Sequence, residues 1–240
     1  MEYQSTREAR SSVSGRGSSR LRQRLNGPML LGCLPAAFSN VLCSEVVRQH
    51  TYIEETGSLA STHTWIVREG GGTVETRWLT PDKAYFNRSD ESGNTLEWRV
   101  RQGDREITAR RTGNIIHLEQ TRGVDTVRED LQIDESPWFQ PLSYALGRFS
   151  QSQLKSVVFW TIRPDSIDAV KLKASRLEEE PVTTRAGRFI ARKVSIALSG
   201  FLSRFWHAHY WFRNTDGLFL RYEGVNGLPG TPATTIQLDS

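Results

Sequence analysis

Between Leu59 and Ile133 the chain repeats one pattern, and that pattern leaves few folds open to it. Short runs suited to β-strands, Leu59–Val67, Thr73–Leu79, Ala84–Asn87, Leu96–Val100, Glu106–Arg111, Ile115–Gln120 and Val124–Ile133, follow one another at a spacing of about ten residues. Between them stand Gly70-Gly71-Gly72, Thr80-Pro81-Asp82, Ser89 to Asn94, Thr112-Gly113-Asn114 and Arg122-Gly123. These are turn chemistry: glycine reaches positive φ, proline fixes φ, and Asp or Asn bonds its own backbone. Within the runs the side chains alternate, as in Val74, Thr76 and Trp78 against Glu75 and Arg77, so one face is more apolar than the other. Such strands joined by short turns predict an antiparallel meander that curls into a sandwich or a barrel. Val46 to Thr56, ahead of them, is polar and fits a segment of either type.

One stretch departs from the pattern. Ser136-Pro137 puts a capping residue and a proline where a helix would begin, and Trp138, Leu142, Ala145 and Phe149 recur near helical spacing. This predicts a helix over 137–149 with Trp138, Leu142, Leu146 and Phe149 facing the sheet. Strand runs resume at Val157–Ile162, Ala169–Leu177 and Phe189–Leu198, and the last is Thr234–Leu238. The densest signal lies at 205–224, where two aromatic-rich runs flank Asn214-Thr215-Asp216-Gly217, a hairpin signature with Gly217 at the position that needs positive φ. On its first strand Trp206, Ala208, Tyr210 and Phe212 share one face; Phe205, His207, His209, Trp211 and Arg213 share the other. Aromatic rings on both faces predict a central strand covered on both sides. The expected fold is mainly β: a curved antiparallel sheet, half-barrel or open barrel, with one helix packed on it near residues 137–149. No repeat and no interdomain linker divides it, so 44–240 is expected to form one domain.

The formal charge of +4 belongs to the first residues. Six arginines and two glutamates in residues 1–28 account for all of it, and the remainder holds 25 basic and 25 acidic residues. A neutral body gives no support for nucleic-acid or anionic-membrane binding. The leader has the three-part form of an export signal: an Arg- and Ser-rich start, an apolar run from Met29 to Phe38, and small residues that allow cleavage after Ser39 or Cys43. Leu30-Leu31-Gly32-Cys33 also reads as a lipobox with Cys33 lipidated, and a mis-assigned start codon or a mitochondrial presequence would explain the same composition. The apolar run is too short to span a bilayer. Both cysteines fall in this segment, so a body cut at residue 43 has no disulfide or thiolate, and periplasmic or outer-membrane-associated localisation is expected.

Ser136-Pro137-Trp138-Phe139, Phe159-Trp160-Thr161-Ile162-Arg163-Pro164-Asp165, Phe205 to Phe212, and Asp216 to Gly224 resemble uncharacterised bacterial exported proteins of the DUF3108-like type. Residues 134–240 carry the likeness. Such families are similar in architecture to the lipoprotein-localisation factors, whose curved sheet wraps a helix and leaves an apolar concave surface. The resemblance implies a half-barrel and an envelope location, and it carries no catalytic residue.

Candidate chemistry is sparse. There is no G-x-S-x-G elbow, P-loop, dinucleotide fingerprint or H-E-x-x-H. Asp165 with Asp168 reads as turn chemistry and Glu178 to Glu180 as a solvated loop before Pro181. His207 and His209, two apart on a strand, point the same way, and Glu223 could join them as a metal ligand across the hairpin; filling a partly polar face is the plainer role. His50, His63 and His117 stand isolated. Trp138, Trp160, Trp206, Tyr210 and Trp211 are core material first and ligand-lining residues second. Arg213 and Arg221 flank the hairpin tip, either to meet an anionic head group or to pair with Asp216 and Glu223. The expectation is a non-enzymatic envelope protein that needs no cofactor and holds a lipid-like or other hydrophobic ligand in its concave face. The alternatives are an envelope interaction protein without a cavity, working through a protein partner, and an enzyme with unrecognised residues.

Overall fold

The structure is a computed structural model that describes residues 46–164, 166–198, 207–225 and 232–240. The leader with Cys33 and both cleavage positions, as well as Asp165, Phe205 and Trp206, lies outside the described residues. The elements in order are β1 (Val46–Thr56), β2 (Leu59–Gly70), β3 (Thr73–Leu79), β4 (Ala84–Asp90), β5 (Thr95–Gln102), β6 (Arg105–Thr112), β7 (Ile115–Arg122), β8 (Asp125–Gln132), α1 (Leu142–Gln151), β9 (Ser156–Ile162), β10 (Ala169–Thr184), β11 (Gly187–Leu198), β12 (His207–Arg213), β13 (Phe219–Val225) and β14 (Ala233–Leu238).

All of these strands join one antiparallel sheet in the order β8-β7-β6-β5-β4-β3-β2-β1-β14-β13-β12-β11-β10-β9. Two meanders, β1–β8 and β9–β14, therefore run outward from a central β1–β14 pair, and the two edges of the sheet are the strands on either side of α1. The expected curved antiparallel sheet with one helix is the observed fold. Val46–Thr56 is a strand, paired along its whole length with β2.

The helix starts later than its spacing predicted. It spans Leu142–Gln151, with Pro141 as an extended N-cap at ψ 156°. Two prolines explain the shift: a residue preceding proline is kept out of the helical region, so the helix cannot run through Ser136 and Gln140 and starts after Pro141. Residues 137–140 form a strap along the edge of β9 instead. Trp138 bridges Trp160 in parallel, Phe139 N donates to Trp160 O at 2.9 Å, and Trp160 N donates to Pro137 O at 2.8 Å. On its other side the strap meets β5, where Thr95 N donates to Trp138 O at 2.8 Å.

This strap makes the sheet roll over itself. Phe139 and Phe159 point to one side and stack at 5.0 Å within a first core, which surrounds Tyr144, Ala145, Leu146 and Phe149 of α1 and draws on β1–β3 and β9–β14. Trp138, Trp160 and Ile162 point to the opposite side and complete a second core against Trp98, Val100, Ile107, Ala109, Ile116 and Leu118 of β5–β7. Both faces of β9 are thus covered, one by the helix side and one by β5–β7. Asp134 holds the strap: it accepts from Trp160 Nε1 and Ser136 N and pairs with Lys171, and these partners keep its carboxyl well below the usual range.

The outer face of the first meander is polar. Reading across from β2 to β6, Arg68, Glu75, Arg88, Glu97 and Arg110 stand side by side. Opposite charges directly across a ladder stabilise the pairing. Glu97 is the buried member: burial works to raise its pKa, but Arg110 and Arg99 outweigh it and leave the carboxyl below its ordinary value.

The second meander covers its own outer face. β10 continues through Glu178–Glu180 and Pro181, which the sequence presented as a loop, because a bulge between Arg176 and Glu179 lets the ladder with β11 resume. Pro181 is tolerated there because β9 pairs only with Ala169–Ser175, leaving one side of β10 free at the proline. Bulges bend strands, and the tip of this hairpin crosses β12 and β13 to reach β14 and β1: Ala186 N donates to Leu238 O at 3.3 Å and Arg185 pairs with Glu55 at 2.7 Å.

Candidate functional site

α1 occupies one end of the first core. A Cβ on Gly147 would stand 2.6 Å from the carbonyl oxygen of Gly217, so the helix lies directly on the β12–β13 loop, and Gly217 takes the positive φ expected of it, 72°. Two clefts border the filled regions. One, between α1 and β1–β2, is lined by Arg48, His50, Trp65 and Tyr144 and has a volume of about 30 Å³. The other, lined by Tyr85, Val100, Arg105 and Ile107, has about 20 Å³. Each has room for one or two waters and no more.

The opposite end of the same interior is built differently. Trp78, Val170, Leu198, Tyr210 and Ile236 face inward and pack on the first core, yet stay half-buried. Beside them lies a polar group from the β1–β2 hairpin. The register sets Glu54 opposite Ser61 and Tyr52 opposite His63, and alternation turns all four toward the interior. Ser61 Oγ is 2.8 Å from His63 Nε2, and Trp78 Nε1 donates to His63 Nδ1 at 3.1 Å. Glu54 Oε2 lies 3.6 Å from the same Nδ1.

These three residues have the composition of a nucleophile, base and carboxylate set, but not its proton arrangement. An indole N–H can only donate, so Nδ1 is the acceptor and the ring proton of the neutral imidazole sits on Nε2, directed at Ser61. A base for Ser61 would need its lone pair on Nε2. Burial lowers the pKa of His63 and raises that of Glu54, so the imidazole is held neutral and the carboxyl holds its proton longer than usual. Tyr52 stacks on Phe219 at 5.2 Å and lies 5.2 Å from Trp78; Tyr210 and Tyr222 are 4.9 Å apart. Thr56 and Thr234 share a hydrogen bond of 2.7 Å across β1 and β14. The lip is therefore hydroxylated and acidic on the β14–β1–β2 side and apolar on the β10–β11 side.

The sequence-derived candidates are scattered across this architecture. Trp138 is fully buried in the second core, and Trp160 lies in the same core with Lys171 5.4 Å from its ring. Tyr210 lines the interior, where burial raises its pKa well above the ordinary value. Trp211 is on the outer face, 5% exposed, bonded through Nε1 to Glu180, with Lys193 4.8 Å and Arg221 5.8 Å from its ring. Arg213 makes a two-pronged contact with Asp216 at 2.9 and 2.6 Å, and Arg221 pairs with Glu223. His207 and His209 lie 5.6 Å apart on the outer face, Glu223 opposite His209; among the described residues no three metal-ligating side chains converge. Sequence reading passed over His63 and Glu54 because each looks isolated along the chain. The signal was the β1–β2 hairpin: once Gly57 and Ser58 form its turn, Glu54, Ser61 and His63 must meet.

Fold and site together define a barrel-like antiparallel sheet, filled by a helix at one end and half-open at the other. A solved structure with the same kind of fold is the beta-barrel-like protein of domain of unknown function DUF1849 from Brucella abortus, at a TM-score of 0.53 and 11% identity, covering 82% of this chain and 96% of that one. Weaker likenesses are a Bacteroides fragilis protein with a YmcC-like fold, described as exported (TM-score 0.31, 14% identity, 81% and 93% covered), and a Parabacteroides distasonis protein described as a lipoprotein (0.34, 14%, 82% and 95%). No family model matches the chain, and no curated protein matches its sequence.

Proposed function

We propose that this is an exported, non-enzymatic envelope protein that binds a hydrophobic or lipid-like ligand at the end of the barrel interior away from α1. One observation carries the reading: among the described residues Trp78, Val170, Leu198, Tyr210 and Ile236 face inward and are only partly buried, and inward apolar surface left partly exposed beside a few polar groups is the composition of a ligand site. Export rests on the leader, and membership of a DUF3108-like family on the resemblance of residues 134–240. The test is titration of the purified chain with fatty acids, phospholipids and acylated peptides, read by tryptophan fluorescence. Saturable binding is expected, weakened by about tenfold or more in Leu198→Asp or Ile236→Asp and unchanged in a Trp211 variant that keeps its fold.

A second reading, a surface-acting envelope protein with a partner and no ligand, is favoured by the small size of the two clefts, about 30 Å³ beside α1 and about 20 Å³ on β4–β6, where drug-sized ligands need roughly 300 Å³ or more. Absence of saturable binding to any of those probes leaves that reading in place.

A further inference from the structure

Charged side chains on this sheet are matched with consistency. Glu55 meets Arg185, Glu69 meets Arg48, Glu97 meets Arg88, Arg99 and Arg110, Asp134 meets Lys171, and Glu223 meets Arg221. Glu54 differs. Its carboxylate turns into the half-open interior with a side chain 31% exposed; among the described residues no Lys or Arg forms an ion pair with it, Lys83 acting on it only from beyond pairing distance, and the imidazole of His63 lies 3.6 Å away. That imidazole is neutral, and its Nδ1 already accepts from Trp78, so it offers Glu54 no proton. The partly exposed ring of Trp78 stands at the same polar lip, over the buried Tyr52 and Tyr222, Tyr222 and Glu54 both being paired with Ile236 from its two sides. The cations once expected to meet a ligand are elsewhere and occupied: Arg213 by Asp216 and Arg221 by Glu223 on the outer face.

Resting on the ligand-binding reading, we infer that the amphiphile taken at this end carries a cationic head, an ammonium on an alkyl chain, with Glu54 as its counter-charge and the apolar side of the lip, Val170 and Leu198, along its chain. The chemistry follows from the sign of the site. A carboxylate without a bound cation repels a phosphate or carboxylate head and attracts an ammonium, and the electron-rich face of Trp78 adds to that attraction. Thr56 and Ser61, both partly exposed, supply hydroxyl oxygens that accept hydrogen bonds from such a head.

The experiment compares three probes of one chain length, dodecylammonium, dodecanoate and the neutral dodecyl maltoside, each below its micellar concentration, against the full chain at mildly alkaline pH. The ammonium is expected to bind about tenfold tighter than the carboxylate. Glu54→Gln, nearly isosteric, should abolish that preference while the neutral probe binds as before, and Arg221→Gln, on the outer face, should keep it. Equal affinities, or a preference for dodecanoate, overturn the head-group inference and leave the ligand-binding reading standing. If none of the three binds saturably, the ligand-binding reading itself fails, and the inference with it.

Discussion

The two cores of this sheet are assembled on opposite plans. The second core is mostly local: β5, β6 and β7 are consecutive, their inward residues Trp98, Val100, Ile107, Ala109, Ile116 and Leu118 come from one meander, and a single distant piece, the strap with Trp138 beside β9, completes it. The first core joins the two meanders, since β1 must find β14 and α1 must find the β12–β13 loop before it exists. Local contacts cost little loop-closure entropy and distant ones cost more. The difference shows where each core is vulnerable. The second depends on one large side chain, the first on backbone approach at one end, and its other end is left half-open.

The largest expected effect breaks the second core. Trp138→Ala should cost about 3–5 kcal/mol in urea unfolding, because the indole is fully buried between β5–β7 and β9; a loss under about 1 kcal/mol would mean that β5–β7 and β9 are not packed through it.

Next comes the first core at its closed end. Gly217→Val should cost about 3 kcal/mol, since φ is 72° and a Cβ would lie 2.8 Å from Gly147 O and 3.1 Å from Gln151. Asp216→Ala, which loses the Arg213 contact on the surface, should cost about 1 kcal/mol. Equal urea midpoints for these two variants would refute the close helix–loop contact.

The smallest effect sharpens the contrast between closed and open ends. The pKa of Glu54 is raised by burial, so the folded state holds this proton more tightly than the unfolded chain. The stability that this provides is present in acid below the unfolded value and is lost as pH rises through the folded one. Glu54→Gln should therefore stabilise the protein at alkaline pH, on the order of 1 kcal/mol, with the gain vanishing in acid. A gain that is the same at every pH would show that the carboxyl is not desolvated.

The strand pattern, the turns and the 205–224 hairpin were legible in the sequence because each is a local matter: side-chain alternation, glycine at positive φ, short loops. Even the covered outer face of β12 was visible as aromatics on both sides of one strand. The helix begins later than the spacing predicts because Trp138 fits helical spacing by coincidence; Pro137, which with Ser136 looks like a helix start, and Pro141 matter more for keeping the residues before them out of a helix. Glu178 to Glu180 looked like a loop because the free side of β10 that tolerates Pro181 is a property of sheet order, not of composition. By itself, then, the sequence determined which residues could be strands, which turns joined them and that the net positive charge lies in residues 1–28 while the rest is neutral. Only the tertiary structure decided that β1 meets β14, that the sheet rolls until β9 is covered on both faces, and that Glu54, Ser61, His63 and Trp78 share one interior lip. Each of these depends on pairings between residues far apart in the chain, and periodicity carries no information about which distant partner a strand will find.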